Sequence, residues 1–590
     1  MIRFIIIFSL TAFSTTFNYI NANVIDYSAS SKYGEIFSNK ILTIKDIENY
    51  QKIFIEQKKC NFKKADKYIF EIKNKILMGH VLAQRYLHPD CYKSQFIELS
   101  SWMKMYNDLP QAKRIYRLAI RRMPEGYKRP PKPITAIGVN IEKQEVKIKP
   151  SKYQSKIKLN KSQRNEKYQL LVNIKSRVNK GWPTGALKLL NQSNTKNLLD
   201  EVEIDQQKEL IAKGYFLANK NELAVKYAEE ALGRSPNYVP FANWTAGLSS
   251  WRLKNYNKSS NFFSNFAIAL KDDPWHNTAG SFWAARSYGE LNDYKKINFW
   301  LLNASTNIET FYGQIANNIL GLSNQIDWKK EKLNSDTEKI FINLPAGKRT
   351  MALIQIGRVL EAENEIVKLN NSLNQNIALI SLGVANKFNM AYTQLKIANK
   401  LTRIEQEIPL RYFYPIPNWK PLDQYKTDKA LIFAFIHQES TFNINAKSSK
   451  GAMGLMQIMP NTAKFISKNK KVKRGNSSIL KDPLINIEVG EEYINYLLNL
   501  DLINGNLIYL AAAYNGGPGN LKKWLNETNF INDPLLFMES IPSRETRWFI
   551  EKILTNYWIY KDQFEEDSQS LLELSKGNDP IYYLKMNNIN

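Results

Sequence analysis

Glu439 ends the run Ala430-Leu431-Ile432-Phe433-Ala434-Phe435-Ile436-His437-Gln438, whose first seven residues carry no polar group. Thr427 or Asp428 can cap a helix there, and a helix apolar on all sides is buried. Burial raises a carboxyl pKa, and the negative end of a helix dipole raises it further. Both act toward a neutral acid that can protonate a leaving group. The competing reading is a glutamate paired with Lys447 or Lys450, or one facing solvent. Further along, Gly454-Leu455-Met456-Gln457-Ile458-Met459-Pro460 offers an amide among apolar residues in a glycine-punctuated loop, and no second acid lies between Glu439 and Gln457. Ser440 reads as a brace for the helix end, and His437, on another helix face, as a core or surface histidine.

These residues sit in a chain of 590, too long for one core. Glycine and proline are sparse and helical periodicity dominates, so the expected class is all-α. Met1-Ile2-Arg3 followed by an apolar stretch to Phe13 and a small-residue site at Ile20-Asn21-Ala22 reads as a secretory signal peptide, residues 1–22. Export implies that Cys60 and Cys91 either pair or stay as buried thiols. Neither has a metal-ligand neighbour in sequence, and the four histidines are not clustered, so no metal and no cofactor is expected. The net charge of +27 is spread along the chain on lysines at helix-surface spacing. No basic block is interleaved with stacking aromatics, and export makes nucleic acid a poor target, so no nucleic-acid partner is expected. No integral membrane segment is expected once the signal is removed.

Residues 23–125 read as an N-terminal helical domain and 126–167 as a basic, proline-containing linker opening at Arg129-Pro130-Pro131-Lys132-Pro133. Residues 168–418 read as helical hairpins ending in a connector, Tyr412 to Pro417. Turns after Leu217, Trp251 and Tyr288 recur at 34 residues from Asn221 to Asn255 and 38 from Tyr256 to Tyr294. That is a degenerate tetratricopeptide-like α-solenoid. Its aromatics, Trp244, Trp251, Phe282, Trp283 and Trp300, read as hairpin core. Residues 419–590 form the domain that carries Glu439.

Four motifs then appear in order: Glu439-Ser440, Gly454-Leu455-Met456-Gln457, Ala513-Tyr514-Asn515-Gly516-Gly517, and Ile541-Pro542-Ser543-Arg544-Glu545-Thr546-Arg547. The series resembles that of lytic transglycosylases with a goose-type-lysozyme-like catalytic domain. Tyr412-Phe413-Tyr414-Pro415, Thr310-Phe311-Tyr312-Gly313 and Tyr86-Leu87-His88-Pro89 are similar to the large soluble periplasmic subfamily, where the superhelix closes into a ring. Whether this solenoid closes is left open, and the basic linker has no counterpart.

The resemblance implies cleavage of the β-1,4 bond between N-acetylmuramic acid and N-acetylglucosamine in peptidoglycan, leaving 1,6-anhydromuramoyl ends. It makes Glu439 the acid and then the base. Ser448, Met456, Gln457, Met459, Tyr514, Asn515 and Glu545 follow as substrate-binding or supporting residues. Met456 and Met459 would lie under a sugar ring, Tyr514 would hydrogen-bond Glu439, and Glu545 would bind substrate or help set the Glu439 pKa. Peptidoglycan glycan strands are the implied partner, with cell-wall synthases as candidate protein partners and the periplasm as location. One recycled carboxyl suits such chemistry, since the nucleophile belongs to the substrate, whereas ordinary glycosidases use two carboxylates. The alternatives are a hydrolytic muramidase of the same fold, an inactive wall-binding scaffold, and a basic nucleic-acid binder.

Overall fold

The computed structural model describes residues 41–134, 153–330, 335–370, 375–403, 407–419, 425–473 and 477–582. The expected signal peptide and residues 135–152 of the expected linker lie outside the described residues. α1 (Ile44–Lys58) begins where the Thr43 side chain accepts from the Asp46 amide, and it pairs with α2 (Phe62–Glu71). α3 (Met78–Tyr86) follows. α4 (Phe96–Tyr106) and α5 (Ala112–Arg121) close a small core around Leu99, Trp102, Ile115 and Ala119. A disulfide joins Cys60 to Cys91, resolving what the sequence left open. His88 lies beside both sulfurs, a neighbourhood invisible in the spacing. Since metals take thiolates, the bonded pair is not a ligand set.

α6 (Lys161–Asn179), whose first seven residues fall inside the expected 126–167 linker and are helical instead, and α7 (Pro183–Leu190) lead into three stacked hairpins. These are α8 (Glu201–Leu217) with α9 (Asn221–Arg234), α10 (Pro240–Arg252) with α11 (Tyr256–Ala269), and α12 (Pro274–Gly289) with α13 (Tyr294–Ser305). Each turns on one left-handed residue: Asn219 (φ 57°), Lys254 (φ 56°) and Asn292 (φ 56°). The next amide then reaches back five residues, as Lys220 does to Tyr215, Asn255 to Ser250 and Asp293 to Tyr288, satisfying carbonyls at the helix end. The hairpins interlock through buried rings, with Trp283 in contact with Trp251 and Phe263 at 5.5 Å each. α14 (Phe311–Ile319) ends this stack.

The same turn recurs at Gly357 (φ 78°), between α15 (Pro345–Gln355) and α16 (Val359–Asn370), and at Asn389 (φ 55°), between α17 (Gln375–Lys387) and α18 (Ala391–Thr402). These helices build a separate core. Met351, Ile354, Ile366 and Leu382 pack with Tyr50, Ile53, Phe54 and Leu77 from the start of the chain. The Leu42 amide donates to Gln355, the Lys368 ammonium to the Leu109 carbonyl, and buried Glu365 is shared by His80 (2.8 Å) and Arg349 (2.9 Å). Buried charges persist only when paired in this way. The solenoid therefore closes back onto the N-terminal helices.

The C-terminal region holds α19 (Lys429–Ser440), α20 (Pro483–Leu498), α21 (Leu507–Gly516), α22 (Pro534–Ser540) and α23 (Arg544–Gln563). It shares one continuous core with α8–α14. At the joint the Tyr312 hydroxyl donates to Glu539 at 2.6 Å and accepts from the Trp283 indole at 3.0 Å. Arg286 pairs with Asp533 at 2.8 Å, Arg252 donates to Ser540 at 2.6 Å, and Phe311 stacks on Trp558. Thr310–Gly313 is thus the seam between superhelix and C-terminal domain. The connector lies along α23, where Tyr414 donates to Asn556 and Tyr560 to the Pro415 carbonyl. Among the described residues there are only isolated β-bridges, and no helix is long and apolar enough to cross a membrane.

Candidate active site

α19 is hidden on every side: Ala430 through Ile436 are all fully buried. Each large apolar side chain there contributes about 1.5–3 kcal/mol of transfer free energy, so the helix is held as a rigid rod. Asp428 caps its start by accepting from the Ala430 amide. It stops abruptly because Thr441 (φ 49°) and Phe442 (φ 63°) are both left-handed, uncommon and costly for non-glycine residues. Glu439 is left half-buried on the last turn. Ser440 donates back to the Ile436 carbonyl at 3.1 Å. His437 faces elsewhere, among Tyr414, Phe442 and Tyr560, and burial pushes its pKa down to about 3, so it stays neutral.

Phe435 lies one turn before Glu439 on the same face. Against it packs the ring of Tyr514, at 4.5 Å between centroids, flanked by Tyr493 and Phe549. The Tyr514 hydroxyl donates to the Met456 carbonyl at 2.8 Å, not to Glu439 as expected, so its partner is the loop. Asn515, the next residue, accepts from the Thr546 hydroxyl at 2.8 Å, and Ser543 caps α23 by accepting from the Thr546 amide. These contacts draw all four motifs together. Glu545, in the first turn of α23, is exposed. Among the described residues neither Arg544 nor Arg547 forms an ion pair with it; Arg547 donates to the Ile541 carbonyl instead.

Burial raises the Glu439 carboxyl to about 8, and the negative charge of Glu545 adds to the effect. Neither Lys447 nor Lys450 pairs with it among the described residues, and both are exposed. Near neutral pH Glu439 is mostly protonated.

The Gly454–Met459 loop is pinned from below by Asn486, fully buried in α20. Its side-chain oxygen accepts from the Met456 amide at 2.7 Å, and its nitrogen donates to the Met453 and Leu480 carbonyls at 2.9 Å each. Sequence reasoning missed Asn486; the available signal was a lone amide one turn after the Asp482-Pro483 helix start. Gly454 (φ 77°) is required here, since an added Cβ would come within 2.3 Å of Asn486 and of the Leu480 carbonyl. Met456 is itself fully buried, with its sulfur against Gly490. The expectation of a sugar-facing Met456 is therefore corrected: the side chain is core, because the loop turns it under. Met459, 39% exposed, faces outward. Gln457 is half-buried and left-handed (φ 46°), its amide donating to the Gly454 carbonyl at 2.8 Å. The Ser448 hydroxyl accepts from the Ala452 amide at 3.0 Å.

Residues 418–536 match the family model of the transglycosylase SLT domain. This region is similar to transglycosylase SLT domains. The match stops before Ser543–Arg547, which the structure joins to it through Asn515 and Thr546. The soluble lytic murein transglycosylase of Escherichia coli K12 is 35% identical over 188 residues, which is 31% of this chain and 28% of that protein. The putative soluble lytic murein transglycosylase of Haemophilus influenzae is 34% identical over 144 residues, 24% of this chain and 23% of that protein. The alignments thus span under a third of either relative's length. Among solved structures, an inactive mutant of lytic transglycosylase Slt from Pseudomonas aeruginosa superposes with a TM-score of 0.53 over 89% of both chains at 16% identity. That likeness is one of fold, and it extends beyond the SLT domain to the superhelix.

Proposed function

We propose that the chain is a lytic transglycosylase acting on peptidoglycan in the periplasm. The observation that carries the reading is Glu439: a carboxyl at the end of a buried helix whose burial raises it to about 8, so that it stays mostly protonated near neutral pH, inside a region similar to SLT domains. Its proton passes to the oxygen of the β-1,4 bond, and the bond from that oxygen to C1 of the muramoyl sugar breaks. The resulting carboxylate takes the proton of the muramoyl 6-hydroxyl as that oxygen bonds to C1. The products are a 1,6-anhydromuramoyl end and a free N-acetylglucosamine 4-hydroxyl, with no water consumed and Glu439 reprotonated.

Glu545, exposed beside the site, raises the Glu439 pKa and serves as substrate contact and electrostatic neighbour. Gln457 and Met459 face the open side and contact sugar, with Ser448 at the loop base. Tyr514 and Asn515 hold the loop and the α23 start in register. The names of the relatives, murein transglycosylases, and the glutamate-to-glutamine change in the inactive Pseudomonas aeruginosa neighbour agree with this assignment. Location in the periplasm rests on the expected signal peptide and on the substrate.

The test is mass analysis of fragments released from purified sacculi. Anhydro ends are lighter by one water than reducing ends. Predominantly reducing ends would make the enzyme a hydrolytic muramidase and overturn the proposal.

A further inference from the structure

Far from Glu439, in the N-terminal domain, the structure contains a cavity of about 710 Å³. Its walls are Tyr86, Leu87 and His88 from the end of α3, and Tyr116, Leu118, Ile120 and four arginines from α5 and its C-terminus. The arginines are Arg114, Arg117, Arg121 and Arg122. The chain's basic residues are mostly lysine, yet these four fall between positions 114 and 122. Arg122 is spoken for: it donates to the Ser94 carbonyl and hydroxyl, both at 2.6 Å. The other three are exposed, and among the described residues none forms an ion pair. They lie at three- and four-residue steps on one face of α5. Like charges so spaced cost a helix a few tenths of a kcal/mol per pair. The opposite face of α5 is core, with Ala112, Ile115 and Ala119 fully buried.

The wall opposite is rigid. The Cys60–Cys91 disulfide ties the turn between α1 and α2 to the segment after α3, and the His88 ring nitrogen Nδ1 accepts from the Asp90 and Cys91 amides. Arg117 Nε donates to the Lys113 carbonyl at 3.3 Å, and three guanidinium groups with no ion pair among the described residues, gathered at one wall, are fitted to an anion. Arginine in place of lysine favours planar, bidentate partners, carboxylate above all others available in a cell wall. The apolar and aromatic remainder, Tyr86, Leu87, Tyr116, Leu118 and Ile120, suits side chains between the charges. A flat lipid surface would be met by a convex basic face, not by a recess lined from two elements.

We propose that this cavity binds a carboxylate-bearing peptide, and that the peptide arms of the wall polymer are its ligand. The second clause rests on the proposed function. The first rests on the cavity alone. The site would hold the wall at a distance from the cleavage point and select strands that still carry peptide.

The test uses the full chain carrying Glu439→Gln, so that nothing is consumed. A labelled synthetic Ala-Glu-Lys-Ala peptide with free carboxylates is titrated and followed by fluorescence anisotropy, with a fully amidated twin as control. The expected result is binding that weakens roughly tenfold or more on amidation, and equally in Arg114→Glu/Arg117→Glu, as expected for lost charge-assisted hydrogen bonds. An Arg114→Gln/Arg117→Gln variant should show the same direction with a smaller loss, and unchanged thermal unfolding in both variants excludes misfolding. Equal binding of the amidated peptide, or no effect of either variant, overturns the proposal. So does tighter retention on phosphatidylglycerol vesicles than on the peptide. Pelleting with intact and with peptide-stripped sacculi tests the second clause: equal retention on both overturns it. Peptide binding in a protein whose wild type cleaves no wall would sink the proposed function while upholding the cavity's ligand class.

Discussion

Replacing Glu439 by glutamine probes the chemistry and its physical origin together. The side chain keeps its size and loses its proton. Loss of a positioned general acid lowers rates by about 10²–10⁴-fold, and here the same group is also the base, so wall cleavage should fall by at least that amount. The wild type should lose cleavage as pH rises through about 8, roughly tenfold per pH unit beyond it, as the acid ionises.

Stability gives an independent readout of the same burial. The folded carboxyl titrates near 8 and the unfolded one near 4.5. Between those values the folded state holds a proton that the unfolded state has released, so wild-type stability falls as pH rises across the window. At about 1.4 kcal/mol per pH unit the full effect is roughly 5 kcal/mol; solvent at the open side of a half-buried group reduces it to about 2 kcal/mol. Glutamine does not titrate. The variant should match the wild type near pH 4 and exceed it by about 2 kcal/mol near pH 9, measured by denaturant unfolding of the full chain. A stability difference independent of pH, or a wild-type activity limb near pH 5, would refute a carboxyl neutralised by burial.

Other perturbations isolate its support. Glu545→Gln removes the negative charge that adds to the Glu439 shift, so the alkaline limb of the pH–rate profile should move down; an upward move would contradict that role. Tyr514→Phe should raise KM several-fold and leave the limb in place, because the hydroxyl holds the Met456 carbonyl; a limb displaced by a full pH unit would show direct contact with Glu439. Asn486→Ala orphans three buried backbone groups and should cost the domain about 3 kcal/mol in urea unfolding; a loss under 1 kcal/mol would show that the loop re-forms without it. Replacing Cys60 and Cys91 by serine opens a link across 31 residues and should cost about 3–4 kcal/mol in the N-terminal unit, with the wild type in reductant behaving like the variant.

Much of the site was legible because it is local. Seven apolar residues in a row, opened by a capping residue in a chain of helical periodicity, read as a buried helix, and the carboxyl at its end inherits that burial wherever the helix packs. The three solenoid turns were also readable, since each depends on its own short polar stretch and the left-handed residue within it. The loop was legible only as a motif. Whether Met456 or Met459 faces sugar depends on which way Asn486, 30 residues on, turns the backbone. The partner of Tyr514 could not be read for the same reason: two acceptors, a carboxyl and a carbonyl, were chemically equivalent until packing against Phe435 set the ring.

The sequence by itself placed Glu439 at the end of a buried helix, set the order of its companion motifs and fixed the helical class, because those follow from residue type and short-range periodicity. Tertiary structure alone decided three other things. It returned α15–α18 to the first helices of the chain through Glu365, His80 and Arg349, a pairing across nearly 300 positions that no periodicity encodes. It joined the superhelix to the C-terminal domain through Tyr312 and Glu539. It also brought the arginines of α5 and the end of α3 to one cavity, and joined Cys60 to Cys91 nearby in the same N-terminal unit. Burial and charge act through space, and only the folded chain sets which distant groups share it.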